Sequence, residues 1–191
     1  MNKILNIFRS KQPYNTDSFL RPLSIKEKLL CQNGENDMHN ASSIIFMSSK
    51  FQLREELIHQ SLTRLTERHP LLHACVSKTN NEYYWKKMDE ININFTTTQS
   101  TKWREICSGI VHYKHDLETG PLWRIVYFPD LVSEYQDSEF PFHSAFVFNA
   151  NHAIIDAQGK IIVIYWIMLR TVTKLFRTGE GVGTSLNILS R

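Results

Sequence analysis

Phe146 to Gly159 reads FVFNANHAIIDAQG. Its first half is apolar and aromatic, the composition of a buried strand. The run meets His152, and four residues later Asp156 heads a second apolar stretch. A strand that feeds a helix through a short polar link is an α/β arrangement, and the end of such a strand is a common place for chemistry. A neutral imidazole there can take a proton from a hydroxyl, amine or thiol near pH 7. Asp156 can cap the following helix or hold a basic side chain, which makes it a support of the site without contact to substrate.

Downstream, the spacing predicts a helix from Asp156 to about Arg177, with Gly179 as its stop. Its centre, Ile161 to Leu169 (IIVIYWIML), is apolar on every side and must be covered all round. These nine residues fall far short of the roughly 20 that cross a bilayer, so no transmembrane segment is expected. Upstream, Leu117 to Phe128 reads LETGPLWRIVYF. Gly120 and Pro121 make a turn, and Leu122 to Phe128 a strand. Arg124, set among apolar residues, requires a partner or an outward path; Asp156 is one candidate.

The remaining chain alternates the two periodicities. Leu23 to Leu30 is a short helix candidate, with Ser24 and Glu27 spaced as a capping box. Ser43 to Ser48 reads as a strand, and Phe51 to Glu67 as an amphipathic helix, with Ser49 and Gln52 spaced as a second capping box. Pro70 ends that helix. Three strands are expected next, at Leu71 to Ser77, Glu82 to Lys87 and Ile91 to Thr97, the first two joined by a turn at Asn80 and Asn81. Thr101 to His112 is helical in pattern. The fold class is therefore α/β (α+β): a mixed, largely antiparallel sheet packed with helices.

Composition removes several classes of function. Apolar residues make up 42% of the 191 and charged residues 21%, which is globular and neither disordered nor fibrous. A net charge of +3 with no dense basic patch gives no case for nucleic acid binding. Cys31, Cys75 and Cys107 are odd in number and widely spaced, which predicts neither a disulfide framework nor a metal site and fits a reducing, cytoplasmic compartment. No secretory signal opens the chain. His152 and Asp156 alone do not close a metal site. A nucleophilic triad is poorly supported, because Ser144 lacks a nucleophile-elbow context and no cysteine has a basic neighbour that singles it out.

Four weak motifs occur in an order that is more specific than any one of them. They are Arg21-Pro-Leu-Ser24, RHPLL at 68–72, ETGPLWR at 118–124 and NHAIIDAQG at 151–159. In this order the chain, over roughly residues 20–177, resembles the N-terminal half of the coenzyme A-dependent acyltransferases. That group includes alcohol acetyltransferases, wax ester synthases, plant acyltransferases and peptide-synthetase condensation domains. The resemblance implies a single chloramphenicol-acetyltransferase-like lobe, preceded by an extension over 1–19 and followed by a flexible tail over 178–191. A second lobe would supply the other channel wall and is absent from the sequence.

The resemblance also implies roles. The family signature is HHxxxDG, and its second histidine falls on His152. That histidine would act as general base on an alcohol or amine acceptor attacking acyl-CoA or another acyl thioester, a co-substrate and not a tightly bound cofactor. The aspartate falls on Asp156 and is structural. Asn151 stands where the signature has its first histidine, and Ala157 where it has a glycine that keeps the channel mouth open. His73 takes the place of an arginine that pairs with the signature aspartate in condensation domains, and a histidine there makes a weaker pair. Three functional readings follow. One is an acyltransferase lobe completed by a second lobe or a homo-oligomer. Another is a non-catalytic lobe acting in protein interaction. The last is an unrelated α/β domain with an accidental HxxxD.

Overall fold

The computed structural model describes residues 19–31, 40–99, 101–131 and 139–155, and the backbone of 32–34 and 184–190. In chain order the elements are β1 (Phe19–Pro22), α1 (Ile25–Gly34), β2 (Asn40–Ser49), α2 (Glu55–Arg68), a 3-10 turn (Pro70–His73), β3 (Ala74–Thr79), β4 (Glu82–Lys87), β5 (Phe95–Thr97), α3 (Trp103–Val111), β6 (Trp123–Phe128), β7 (Phe142–Asn151) and β8 (Thr184–Ser190). They form a three-stranded sheet of order β1-β4-β3 and a five-stranded sheet of order β5-β6-β7-β2-β8. All pairings are antiparallel except β5 with β6. The expected mixed, largely antiparallel architecture is the one found.

The larger sheet separates two cores. On one face, Ile45, Ile125, Tyr127 and Phe148 pack with Ile58, Leu62 and Leu65 of α2 and with Trp85 of the smaller sheet. On the other, Phe46, Val126, Phe128, Ala145 and Val147 pack against Trp103 and Ile110 of α3. Burial of each large side chain contributes about 1.5–3 kcal/mol, so both faces of β2, β6 and β7 are held. The β3–β4 hairpin turns at Asn80 and Asn81, whose φ values of 53° and 63° are those of a type I′ turn, as the Asn-Asn pair predicts.

Ser24 and Glu27 form the expected capping box: the Glu27 amide donates to Ser24 Oγ (3.3 Å) and the Ser24 amide to Glu27 Oε2 (2.7 Å). The second box is not formed. Ser49 Oγ donates to the Phe51 carbonyl (2.7 Å), and α2 starts only at Glu55, with the Arg54 carbonyl accepting its first bonds.

Other expectations are corrected by tertiary structure. Leu71 to His73 is not strand: the Leu72 amide reaches back to the His69 carbonyl (2.9 Å), closing a 3-10 turn that Pro70 pre-forms, and β3 begins at Ala74. Of Ile91 to Thr97, only Phe95 to Thr97 pairs, and it pairs in parallel with β6. The tail expected from residue 178 holds β8, which pairs with β2 from Ser43↔Ser190 to Ser49↔Thr184. The demand comes from β2, whose outer backbone groups need partners along a buried strand. The expected helix from Asp156 to Arg177 lies outside the described residues.

Candidate functional site

β6 and β7 pair from Trp123↔Ala150 to Phe128↔Ala145, which sets Arg124 opposite Asn149. The Asn151 amide donates to the Leu122 carbonyl (2.9 Å) and so ties the end of β7 to the residue before β6. The chain then turns. The Ile154 amide donates to the Asn151 carbonyl (3.2 Å), and the Ala153 amide to Asn151 Oδ1 (2.9 Å). Asn151 is 2% exposed, and Ala153, Ile154 and Ile155 are buried in the α2-side core. An asparagine suits this place because its side chain can mimic a backbone turn. His152 is the first central residue of the turn and is only half-buried, while its neighbours on both sides are buried.

Asn149, fully buried, anchors the strand two residues earlier. Its Nδ2 donates to Ser42 Oγ on β2 (2.8 Å), which leaves Oδ1 to accept from His115 Nε2 (2.7 Å). That polarity makes His115 Nε2 the donor of this bond. Burial pushes its pKa below the usual histidine value, against the Asn149 hydrogen bond, which favours the charged form. The Tyr113 ring meets His115 edge-on at 5.0 Å, and the Arg124 guanidinium lies over the same ring at 4.4 Å. His115 has no local signal in the sequence: its partner Asn149 is 34 residues away.

The predicted site residues fall into separate places. Asn151 and His152 share the turn. Arg124 stands on the α3 face, opposite Asn149, with Tyr113 as its contact. His73 ends the 3-10 turn, and its carbonyl accepts from the Met88 amide (3.0 Å). That turn is pinned near β6 by Trp123 Nε1, which donates to the Leu72 carbonyl (2.7 Å). Asp156 and Ala157 lie outside the described residues, and with them the pairings expected of Asp156 with His73 or Arg124.

Competing chemistries find little support. Burial raises the thiol of Cys75 above the usual range and that of Cys107 to about 11, so neither is an activated thiolate. Ser48 Oγ lies 3.0 Å from His143 Nδ1 at the opposite end of β7, but Ser48 is sealed at 3% exposure. No group of three metal-ligating side chains occurs among the described residues, and no helix among them is long and apolar enough to cross a membrane. Among the described residues, His152 does not line the clefts of about 670, 490 and 300 Å³.

No family model and no curated protein matches the sequence. Solved structures do match the fold. The starter condensation domain of rhizomide synthetase RzmA superposes with a TM-score of 0.61 at 9% identity, over 77% of this chain and 36% of that one. A variant of the same domain in complex with C8-CoA gives 0.62 at 10% identity, over 80% and 35%. The epimerization domain from the third module of tyrocidine synthetase B gives 0.61 at 14% identity, over 83% and 36%. The chain thus has the fold of a single condensation-domain lobe and spans little more than a third of the length of these domains.

Proposed function

We propose that this chain is the N-terminal lobe of an acyltransferase that moves an acyl group from a thioester, acyl-CoA among them, to a hydroxyl or amine acceptor. The observation that carries the reading is His152: a half-buried imidazole on a turn locked by Asn151, at the end of β7, in a lobe of condensation-domain fold. One of the similar domains, the RzmA starter condensation domain, is held in complex with C8-CoA in one structure and with C8-CoA and Leu-SNAC in another, which supports an acyl thioester donor and a nucleophilic acceptor here.

In this reading His152 takes the proton of the acceptor O–H or N–H as that atom attacks the thioester carbonyl. The C–S bond breaks on collapse of the tetrahedral intermediate, and the departing thiolate receives the proton from the imidazolium. Asn151 and Asn149 hold the imidazole in place, Asp156 and His73 support the loop, and Ala157 narrows the approach. A second lobe supplies the facing wall, which excludes water and positions the thioester. The free cysteines support a reducing, cytoplasmic setting.

The test is thiol release from octanoyl-CoA with alcohol and amine acceptors, beside calorimetric binding of the same thioester. Release is expected to fall about 10²-fold or more in His152→Ala. Release equal in wild type and His152→Ala refutes the assignment. Binding without any release favours the second reading, a non-catalytic binding lobe. That reading draws support from Ile25 and Leu29, one helical turn apart on α1 and 80% and 54% exposed.

A further inference from the structure

Arg124 is a cation that the fold partly buries, with no anion beside it among the described residues. Its Nε is buried with no hydrogen-bond partner. No ion pair reaches it among the described residues, and its guanidinium is stacked 4.4 Å above the Tyr113 ring. Taking a guanidinium out of water without acceptors is costly, and an anion that supplies them recovers much of that cost. The charge is felt nearby, since Arg124 adds to the burial that holds His115 below its usual pKa. Strand pairing with Asn149 fixes the backbone of Arg124, and the contact with Tyr113 restrains its guanidinium before any ligand arrives.

Arg124 lines a cleft of about 300 Å³ between α3 and the β5–β6 edge, with Thr96, Ile106, Ile110 and Val126 as further walls. The cleft stays open at Gly109, where an added Cβ meets nothing within 4 Å. A glycine inside a helix costs stability relative to alanine, and no close packing demands this one. The carbonyls at the end of α3 do not oppose an anion freely: those of Gly109, Ile110 and Val111 accept from the His112 amide, the Tyr113 amide and Asn40 Nδ2. The space holds about ten water-sized groups, the size of a medium-chain acid.

We propose that this cleft binds an organic anion, with a carboxylate on Arg124 and a short aliphatic body against Ile106, Ile110 and Val126. The site is separate from the one assigned to His152 and stands whether or not the chain transfers acyl groups.

The test is calorimetric titration of the 191-residue chain with octanoate, octanol and inorganic phosphate. Octanoate is expected to saturate one site and to bind at least tenfold more tightly than either of the others. Arg124→Gln is expected to weaken octanoate at least tenfold. Gly109→Leu fills the cleft while improving the helix, so it is expected to lose octanoate at least tenfold with an unchanged or raised melting temperature. No saturable binding of octanoate overturns the proposal. So does octanol or phosphate binding as tightly, or undiminished octanoate affinity in either folded variant.

Discussion

Replacing Asn151 by alanine removes one acceptor from one amide, and the consequence can be worked out. Asn151 Oδ1 is the partner of the Ala153 amide at 2.9 Å, and both residues are buried, at 2% and 8% exposure. Water cannot readily take the place of the lost oxygen, so the amide is left unsatisfied at a cost of about 1–3 kcal/mol. In a domain of this size each kcal/mol lowers the melting temperature by about 2–4 °C, so Asn151→Ala is expected to melt about 2–12 °C lower. The loss should also be local. Amide exchange at Ala153 is expected to quicken about 5- to 150-fold, while amides in the centre of β2 move only with global stability. Asn151→Ser retains a hydroxyl that can make the same turn more weakly and should fall between the two. Calorimetry and hydrogen exchange read both effects. A melting temperature within 1 °C of wild type, with Ala153 exchange unchanged, refutes the claim that this side chain holds the turn beneath His152.

Glu27 offers a pH test. It accepts from Arg21 Nη1 (2.8 Å) and Nη2 (2.6 Å), the Ser24 amide and Trp85 Nε1 (3.2 Å), and the Arg21 hydrogen bond above all holds its pKa down at about 2. The folded carboxyl binds its proton more weakly than the unfolded one, so the stabilisation is complete above about pH 4.5 and is lost as pH falls toward 2. At about 1.4 kcal/mol per tenfold proton affinity this is at most about 3.4 kcal/mol, and solvent at Arg21, 47% exposed, screens it to about 1–2. Glu27→Gln should therefore flatten the acid limb of the melting curve, and parallel limbs in that window count against it. His115, also depressed, stabilises above its usual value near 6.5 and loses that contribution as pH falls below it; an NMR titration should find its pKa lowered from that value, and a normal titration removes the buried assignment. Gly120→Ala should destabilise by about 1–2 kcal/mol or more, since Gly120 has φ +60° and an added Cβ meets Met88 Sδ at 3.0 Å and the Ala74 carbonyl at 3.3 Å; Gly109→Ala should be neutral or stabilising by up to about 1 kcal/mol. Equal melting temperatures for the two variants contradict both contact readings.

Local chemistry was legible where it decides local structure. The Ser24–Glu27 spacing predicts its cap, Asn80-Asn81 predicts its turn, and the apolar run into His152 predicts a strand ending at that residue. What could not be read is set by distant partners. β1 is four residues long, contains Pro22 and pairs with β4 through an irregular register, so no period announces it. β8 exists because β2 offers a free backbone edge, a property of β2 and not of TSLNILS. Trp85 joins the Glu27 cluster from 58 residues away, and His115 joins Asn149 from 34. At the site the same division holds. Sequence places His152 at a strand end, but only the fold reveals that Asn151 supplies the acceptor that closes the turn.

The fates of three histidines explain why His152, rather than His115 or His143, is proposed as the base. A general base must be fixed in position and must also keep a nitrogen free for substrate. His115 is fixed, but one nitrogen is spent on Asn149, and burial closes the rest. His143 spends Nδ1 on the sealed Ser48. His152 forms no side-chain hydrogen bond among the described residues and stays partly open to solvent, while the backbone that carries it is tied on both sides, at Leu122 and at Ala153. Rigidity comes from the asparagines, and among the described residues nothing engages the imidazole. Such a group gains nothing for folding from its chemistry, so His152→Ala should change stability far less than Asn151→Ala does. If His152→Ala proves the more destabilising of the two, the imidazole is a structural element and its assignment as a base fails.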